Sequence, residues 1–95
     1  MKITTKDICQ DLDHVEVVIS GTVSSIKEVL TKSRNKMAYL TLTDNYGSVS
    51  VMIFPDVYKK SEKIFLNNNA IFTLYGTLDV SESSTLLIAS EIEIK

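Results

Sequence analysis

The sequence predicts an all-β fold: a five-stranded Greek-key barrel with one short helix between its third and fourth strands. Three observations carry this. Between Lys36 and Pro55, apolar residues alternate with polar or aromatic ones, as Ala38, Leu40 and Leu42 on one arm and Val49, Val51 and Ile53 on the other. Successive side chains of a strand point to opposite faces, so the two arms form a hairpin with one face on a core. Upstream, Val15, Val17, Ile19 and Val23 keep one parity while Ile26 has switched to the other, with Gly21 inside the run. A glycine within a strand and a phase slip together mark a bulge or sharp coil, which lets one strand serve two sides of a small barrel. Helical spacing follows Pro55, where Val57, Ser61, Ile64 and Phe65 fall on one stripe and Lys59, Lys60 and Glu62 on the other side.

Taken in chain order, residues 1–14 are polar and weakly patterned. Ile3, Ile8 and Leu12 mark an arm or short helix that packs on the body formed by residues 15–95. The long first strand comes next, then the hairpin, closed by Asp44-Asn45-Tyr46-Gly47, in which Gly47 can supply a positive φ at little cost. Pro55 opens the helix, where its missing N–H does no harm. Asn67-Asn68-Asn69 closes it, since asparagine tolerates left-handed backbone. A fourth strand from Ala70 to Leu78 sets Phe72, Leu74, Gly76 and Leu78 on one parity, and a fifth runs from Thr85 to about Ile94 after a polar loop, Asp79 to Ser84.

Bulk properties agree with one globular unit. Ninety-five residues suffice for a single core, and 44% apolar with 23% charged residues argues against disorder. No stretch approaches the ~20 apolar residues of a membrane span, and the first residues lack a signal peptide's apolar segment. Cys9, the single cysteine, cannot form an internal disulfide and reads as a small, reduced packing residue of a cytoplasmic protein. The net charge of -2 conceals an asymmetry. From Lys27 to Lys36 there are four basic residues (Lys27, Lys32, Arg34, Lys36) against Glu28, a local +3, whereas residues 79–93 carry Asp79, Glu82, Glu91 and Glu93 and no base. A local positive field can bind a polyanion despite an acidic total, because salt screens charges beyond ~10 Å.

Five strands with one helix between the third and fourth is the OB-fold arrangement. Its ligands lie across strands two and three, bounded here by the loops Leu30 to Asn35 and Asp79 to Ser84. The residues also resemble a known family. Val17-Val18-Ile19-Ser20-Gly21-Thr22-Val23, Lys36-Met37-Ala38-Tyr39-Leu40-Thr41-Leu42-Thr43-Asp44 and Val51-Met52-Ile53-Phe54-Pro55-Asp56-Val57-Tyr58 are similar to the OB domain of the bacterial DNA polymerase III alpha subunit. The resemblance spans roughly residues 15 to 93. It implies a module that binds single-stranded DNA beside a replicative polymerase, within the broader group that includes anticodon-binding domains of tRNA synthetases. The chain has none of the polymerase catalytic region. It also carries Ser33 and Asn35 in a loop where the family frequently has a glycine.

The displayed face of the hairpin is expected to carry Met37, Tyr39, Thr41 and Thr43 on one arm and Ser50, Met52 and Phe54 on the other. Tyr39 is the expected stacking residue, since base–aromatic stacking is worth ~1–3 kcal/mol per base. Its alternative role is to cover the barrel or contact a neighbouring domain. Met52 could cushion a base or fill a gap. Lys32, Arg34 and Lys36 would pair with phosphates, Lys27 would extend the track, and Thr41 and Ser50 could donate to phosphate or base edges. Phe54, next to Pro55, is expected to wedge under the helix. Lys59, Lys60 and Lys63 read as a solvated helix face, and Tyr75 as structural.

Catalytic chemistry finds little here. His14 is the only histidine and has no Cys or His partner for a metal site or nucleophilic triad, there is no glycine-rich phosphate loop, and no cofactor is implied. Asp44 reads as a turn residue. The expectation is therefore a binding module for single-stranded DNA, working with other replication proteins or the rest of a polymerase chain and not with a membrane. RNA, tRNA included, and a protein partner are the alternatives.

Overall fold

The computed structural model describes residues 1–67 and 69–95. Its strands are β1 (Lys2–Ile3), β2 (Glu16–Leu30), β3 (Lys36–Thr43), β4 (Ser48–Ile53), β5 (Phe72–Val80) and β6 (Thr85–Ile94), with the short helix α1 (Pro55–Ser61) between β4 and β5. The sheet order is β1-β2-β3-β4-β6-β5, and β5 returns to pair with β2, which closes a barrel of five long strands. Relative to those five, the helix sits between the third and fourth, as the sequence predicts.

One strand closes both sides. β2 pairs with β5 through Glu16–Gly21 and with β3 through Thr22–Leu30, and the change of partner falls at Gly21. A side chain there would run into the carbonyl of Thr43 and lie 3.2 Å from Leu42 Cγ, so the strands meet this closely only because residue 21 has no Cβ. The register with β3 slips between Val23 and Ser25, which is the bulge announced by the parity change before Ile26.

Side chains of one parity fill the interior. Ile19, Leu42, Val51, Ile53, Leu74, Leu78 and Leu87 are fully buried. Removing that much apolar surface from water, at about 25 cal/mol per Å², is the main term holding the barrel closed. α1 covers one end of it. Pro55 occupies the first turn, Tyr58 and Ser61 face inward, and the chain tightens into a 3-10 turn from Glu62 to Leu66. Phe65 then packs 5.3 Å from the ring of Phe72. The Tyr58 hydroxyl donates to the Glu28 carboxylate on β2. Burial, and then that carboxylate, raises the Tyr58 pKa well above the ordinary tyrosine value.

Several expectations change. Met37 is buried rather than displayed; it stands outside the core cluster, opposite Val29 of β2. Phe54 is 46% exposed rather than wedged under the helix, because the chain turns into α1 immediately after it. Cys9 is exposed at the start of a 3-10 turn and is not a packing residue. Gly47 does not use a positive φ. The turn is held instead by Asp44, which accepts from the backbone N–H groups of Tyr46 and Gly47. Of the three asparagines expected to end the helix, Asn67 is extended and Asn69 is left-handed at φ 68°, while Asn68 lies outside the described residues.

Residues 1–14 form an arm that returns to the hairpin. β1 lies parallel to β2 with Ile3 opposite Ile19, and Ile3 joins the core, with Ile8 and Leu12 packed against it. Asp44 clasps the arm as well as its own turn, accepting from the backbone N–H of Thr5 at 2.7 Å and from Thr5 Oγ1 at 2.6 Å. Desolvation pushes the Asp44 pKa up, but these hydrogen bonds outweigh it and hold the carboxyl below its ordinary 3.8. A depressed folded-state pKa stabilises the native state above pH 3.8, and that contribution is lost as pH falls through the lower folded value. Asp44→Ala should therefore cost about 1–2 kcal/mol at pH 7 and less at pH 3, as measured by urea denaturation at both values. Equal losses at the two pH values would show that the carboxylate charge is not what holds the arm.

Candidate nucleic-acid interface

The cross-strand register assembles the displayed face. Tyr39 on β3 lies opposite Lys27 on β2 and Met52 on β4, so the three make one row across the sheet. Thr41 makes the next row, between Ser25 and Ser50. Directly opposed side chains in antiparallel strands stand ~4.5–5.5 Å apart at Cβ, close enough for neighbouring rows to contact one ligand. Tyr39 is 44% exposed, Ser50 is exposed and Met52 is half-buried. The face thus offers an aromatic ring flanked by an ammonium and a thioether, followed by a band of hydroxyls.

That band is longer than Thr41 and Ser50. Ser25 Oγ donates to Thr41 Oγ1 at 3.2 Å, Ser24 Oγ lies 3.1 Å from Thr43 Oγ1, and Thr43 Oγ1 lies 2.9 Å from Ser48 Oγ. These hydroxyls are mutually bonded yet near solvent, so each can exchange a neighbour for a phosphate or base oxygen. At the other end of the face stands Phe54, one residue past Ile53 and so just beyond the β3–β4 ladder. Its exposure makes it a second ring available for stacking. The signal was present in the sequence, because Phe54 shares its parity with Ser50 and Met52.

The basic loop follows β2. Thr31 organises it, accepting from Arg34 N through its carbonyl and from Asn35 N through Oγ1, and its own N–H donates to Asn35 O. Arg34 takes the left-handed conformation at φ 65°, the kind of backbone that glycine adopts most cheaply. Lys32 and Arg34 are exposed. Lys36 shares the parity of Ala38 and Leu40, so it points to the helix side of β3, with Nζ 3.4 Å from Glu62 Oε2. The candidate residues therefore separate into two groups. Lys27, Tyr39, Thr41, Ser50 and Met52 share the sheet face, whereas Lys36 sits with Arg34 at the rim where the loop meets α1.

Tyr75 stands elsewhere, on β5 opposite Glu91. The charge of Glu93, with a smaller part from Glu91, raises its pKa, and the neighbouring Glu93 carboxyl raises that of Glu91 in turn. A phosphate would be repelled there. At the hairpin tip, Lys6 Nζ lies 5.4 Å from the centre of the Tyr46 ring, a cation–π contact between the arm and the exposed Tyr46.

Comparisons with known proteins agree with this fold. The chain is similar to the DNA polymerase III subunit alpha of Staphylococcus aureus, 34% identical over 68 residues, which is 72% of this chain but only 6% of that one. Among solved structures, a domain of replication protein A from Methanococcus maripaludis superposes with a TM-score of 0.76 at 13% identity, covering 99% of this chain and 94% of that one. Asparaginyl-tRNA synthetase from Pyrococcus horikoshii superposes with a TM-score of 0.74 at 17% identity, covering 98% and 22%. At such identities the two superpositions show the fold alone. Residues 17–95 match the family described as the OB-fold nucleic acid binding domain, and the chain belongs to that family.

Proposed function

We propose that this chain is a non-catalytic module that binds single-stranded DNA, acting as the accessory domain of a bacterial replicative DNA polymerase alpha subunit in the cytoplasm. The observation that carries the reading is the row Lys27–Tyr39–Met52, a half-exposed ring between an ammonium and a thioether on the open face of the barrel. Bases stack on Tyr39 and on Phe54 at the end of the face, Met52 cushions them, and Thr41 and Ser50 meet polar edges. Lys27, Lys32, Arg34 and Lys36 take phosphates. Duplex DNA keeps its bases stacked inward and cannot use the rings, so the site selects single strands. The similarity to a polymerase III alpha subunit supports DNA as the ligand and a replication complex as the setting.

A competition experiment tests this. Unlabelled single-stranded DNA, single-stranded RNA and duplex of equal length are titrated against a labelled single-stranded DNA probe. Single-stranded DNA should compete best and duplex worst. RNA competing better would make this an RNA-binding domain. Equal competition by duplex would reduce the site to charge alone.

A further inference from the structure

The basic loop and α1 enclose a cleft of about 410 Å³ that lies off the displayed face. Arg34, Lys36 and Lys59 line it, together with Pro55, Asp56 and Glu62. Lys59 comes from the helix, 23 residues after Lys36 in sequence. The fold therefore gathers a third cation next to two that the loop and β3 supply. Its neighbour Lys60 does not line the cleft.

The cleft continues the path of the face. Thr41, Tyr39 and then Phe54 lie in succession toward one end of the hairpin, and Pro55, the residue after Phe54, is already a wall of the cleft. A strand that stacks a base on Phe54 thus arrives at Arg34, Lys36 and Lys59. In the free protein Lys36 is bound to Glu62, with their side chains 57% and 42% exposed. Such an exposed pair is weak and is screened by salt, so an arriving phosphate can replace the carboxylate.

We propose that this cleft holds a backbone phosphate of the bound strand as it leaves the sheet, with Lys59 as an added phosphate ligand and Glu62 as the anion that the phosphate displaces from Lys36. The proposal rests on the single-strand reading above. It gives the bound strand a defined exit, over the start of α1 rather than past the Asp79–Ser84 loop.

The test is the salt dependence of binding to a labelled single-stranded oligonucleotide for the unaltered protein and for Lys59→Gln, Lys60→Gln and Glu62→Gln. Each phosphate neutralised contributes about -0.7 to the slope of log affinity against log salt for single strands. Lys59→Gln should make the slope shallower by about 0.7, and Lys60→Gln should leave it unchanged. Glu62→Gln should tighten binding about 2–5-fold at low salt, since it frees Lys36 from an exposed pair. Equal effects of the two lysine variants, or no tightening by Glu62→Gln, would overturn the cleft while leaving the single-strand reading intact. No binding by the unaltered protein would overturn both. Inorganic phosphate, titrated by amide NMR, should give no saturable shifts around Arg34 and Lys59. Saturation there, with an unchanged oligonucleotide slope for Lys59→Gln, would make the cleft a free-anion site instead.

Discussion

Replacing Tyr39 with alanine should weaken binding of single-stranded DNA by about 5- to 150-fold, the equivalent of the ~1–3 kcal/mol that base–aromatic stacking supplies. Tyr39 is 44% exposed, and its neighbours in the row are Lys27 and Met52 rather than core side chains. Its truncation should therefore change folding stability by no more than about 0.5 kcal/mol. Tyr39→Phe keeps the ring and should bind within about twofold of the unaltered protein. Fluorescence anisotropy on single-stranded and duplex probes checks all three. Equal weakening on both probes would show that the tyrosine does not stack, and a large loss of stability would assign it to packing.

Gly21→Ala should destabilise the fold. In an ordinary strand this change is favourable, because it restricts the unfolded chain by about 0.4–1 kcal/mol. Here an added methyl group meets the Thr43 carbonyl, whose carbon would lie 3.0 Å away, and that backbone is held in the β2–β3 ladder opposite Thr22. Backbone cannot step aside as the end of a flexible side chain can. The variant should lose about 1–3 kcal/mol or more, seen as a lower urea midpoint with an unchanged slope. A gain in stability would mean that β2 does not cross from β5 to β3 at this residue.

The sequence made the barrel legible where local pattern decides burial. Leu40, Leu42, Val51 and Ile53 alternate cleanly, and all four are buried. The parity slip before Ile26 marked the bulge between Val23 and Ser25, because one inserted residue must reverse every side chain beyond it. Parity was not enough at the ends of strands. Met37 and Phe54 belong to the displayed parity, yet one is buried opposite Val29 and the other, past the end of the ladder, is exposed. Lys36 sits on the inner parity at the first residue of β3, and so it turns to Glu62 instead of the sheet face.

Contacts between distant residues lay further beyond reach. Asp44 has the ordinary look of a turn residue, but it also ties down Thr5, 39 positions away. Tyr58 reaches Glu28 across 30 positions and so belongs to the barrel's sealed end rather than to the helix surface. Lys59 joins Arg34 and Lys36 only because α1 folds back against the basic loop. Helical spacing separates Lys59 from Ile64 and Phe65, but it does not say which loop the exposed side of the helix will meet.

Whether the barrel binds single strands through phosphates and stacked bases is decided by titrating labelled single-stranded oligonucleotide with the unaltered protein across a range of salt concentrations. Three or four phosphate contacts predict a slope of log affinity against log salt of roughly -2 to -3. Stacking on Tyr39 and Phe54 predicts binding that survives, weakened, when the charges are screened. No salt-sensitive binding at high protein concentration would contradict the account.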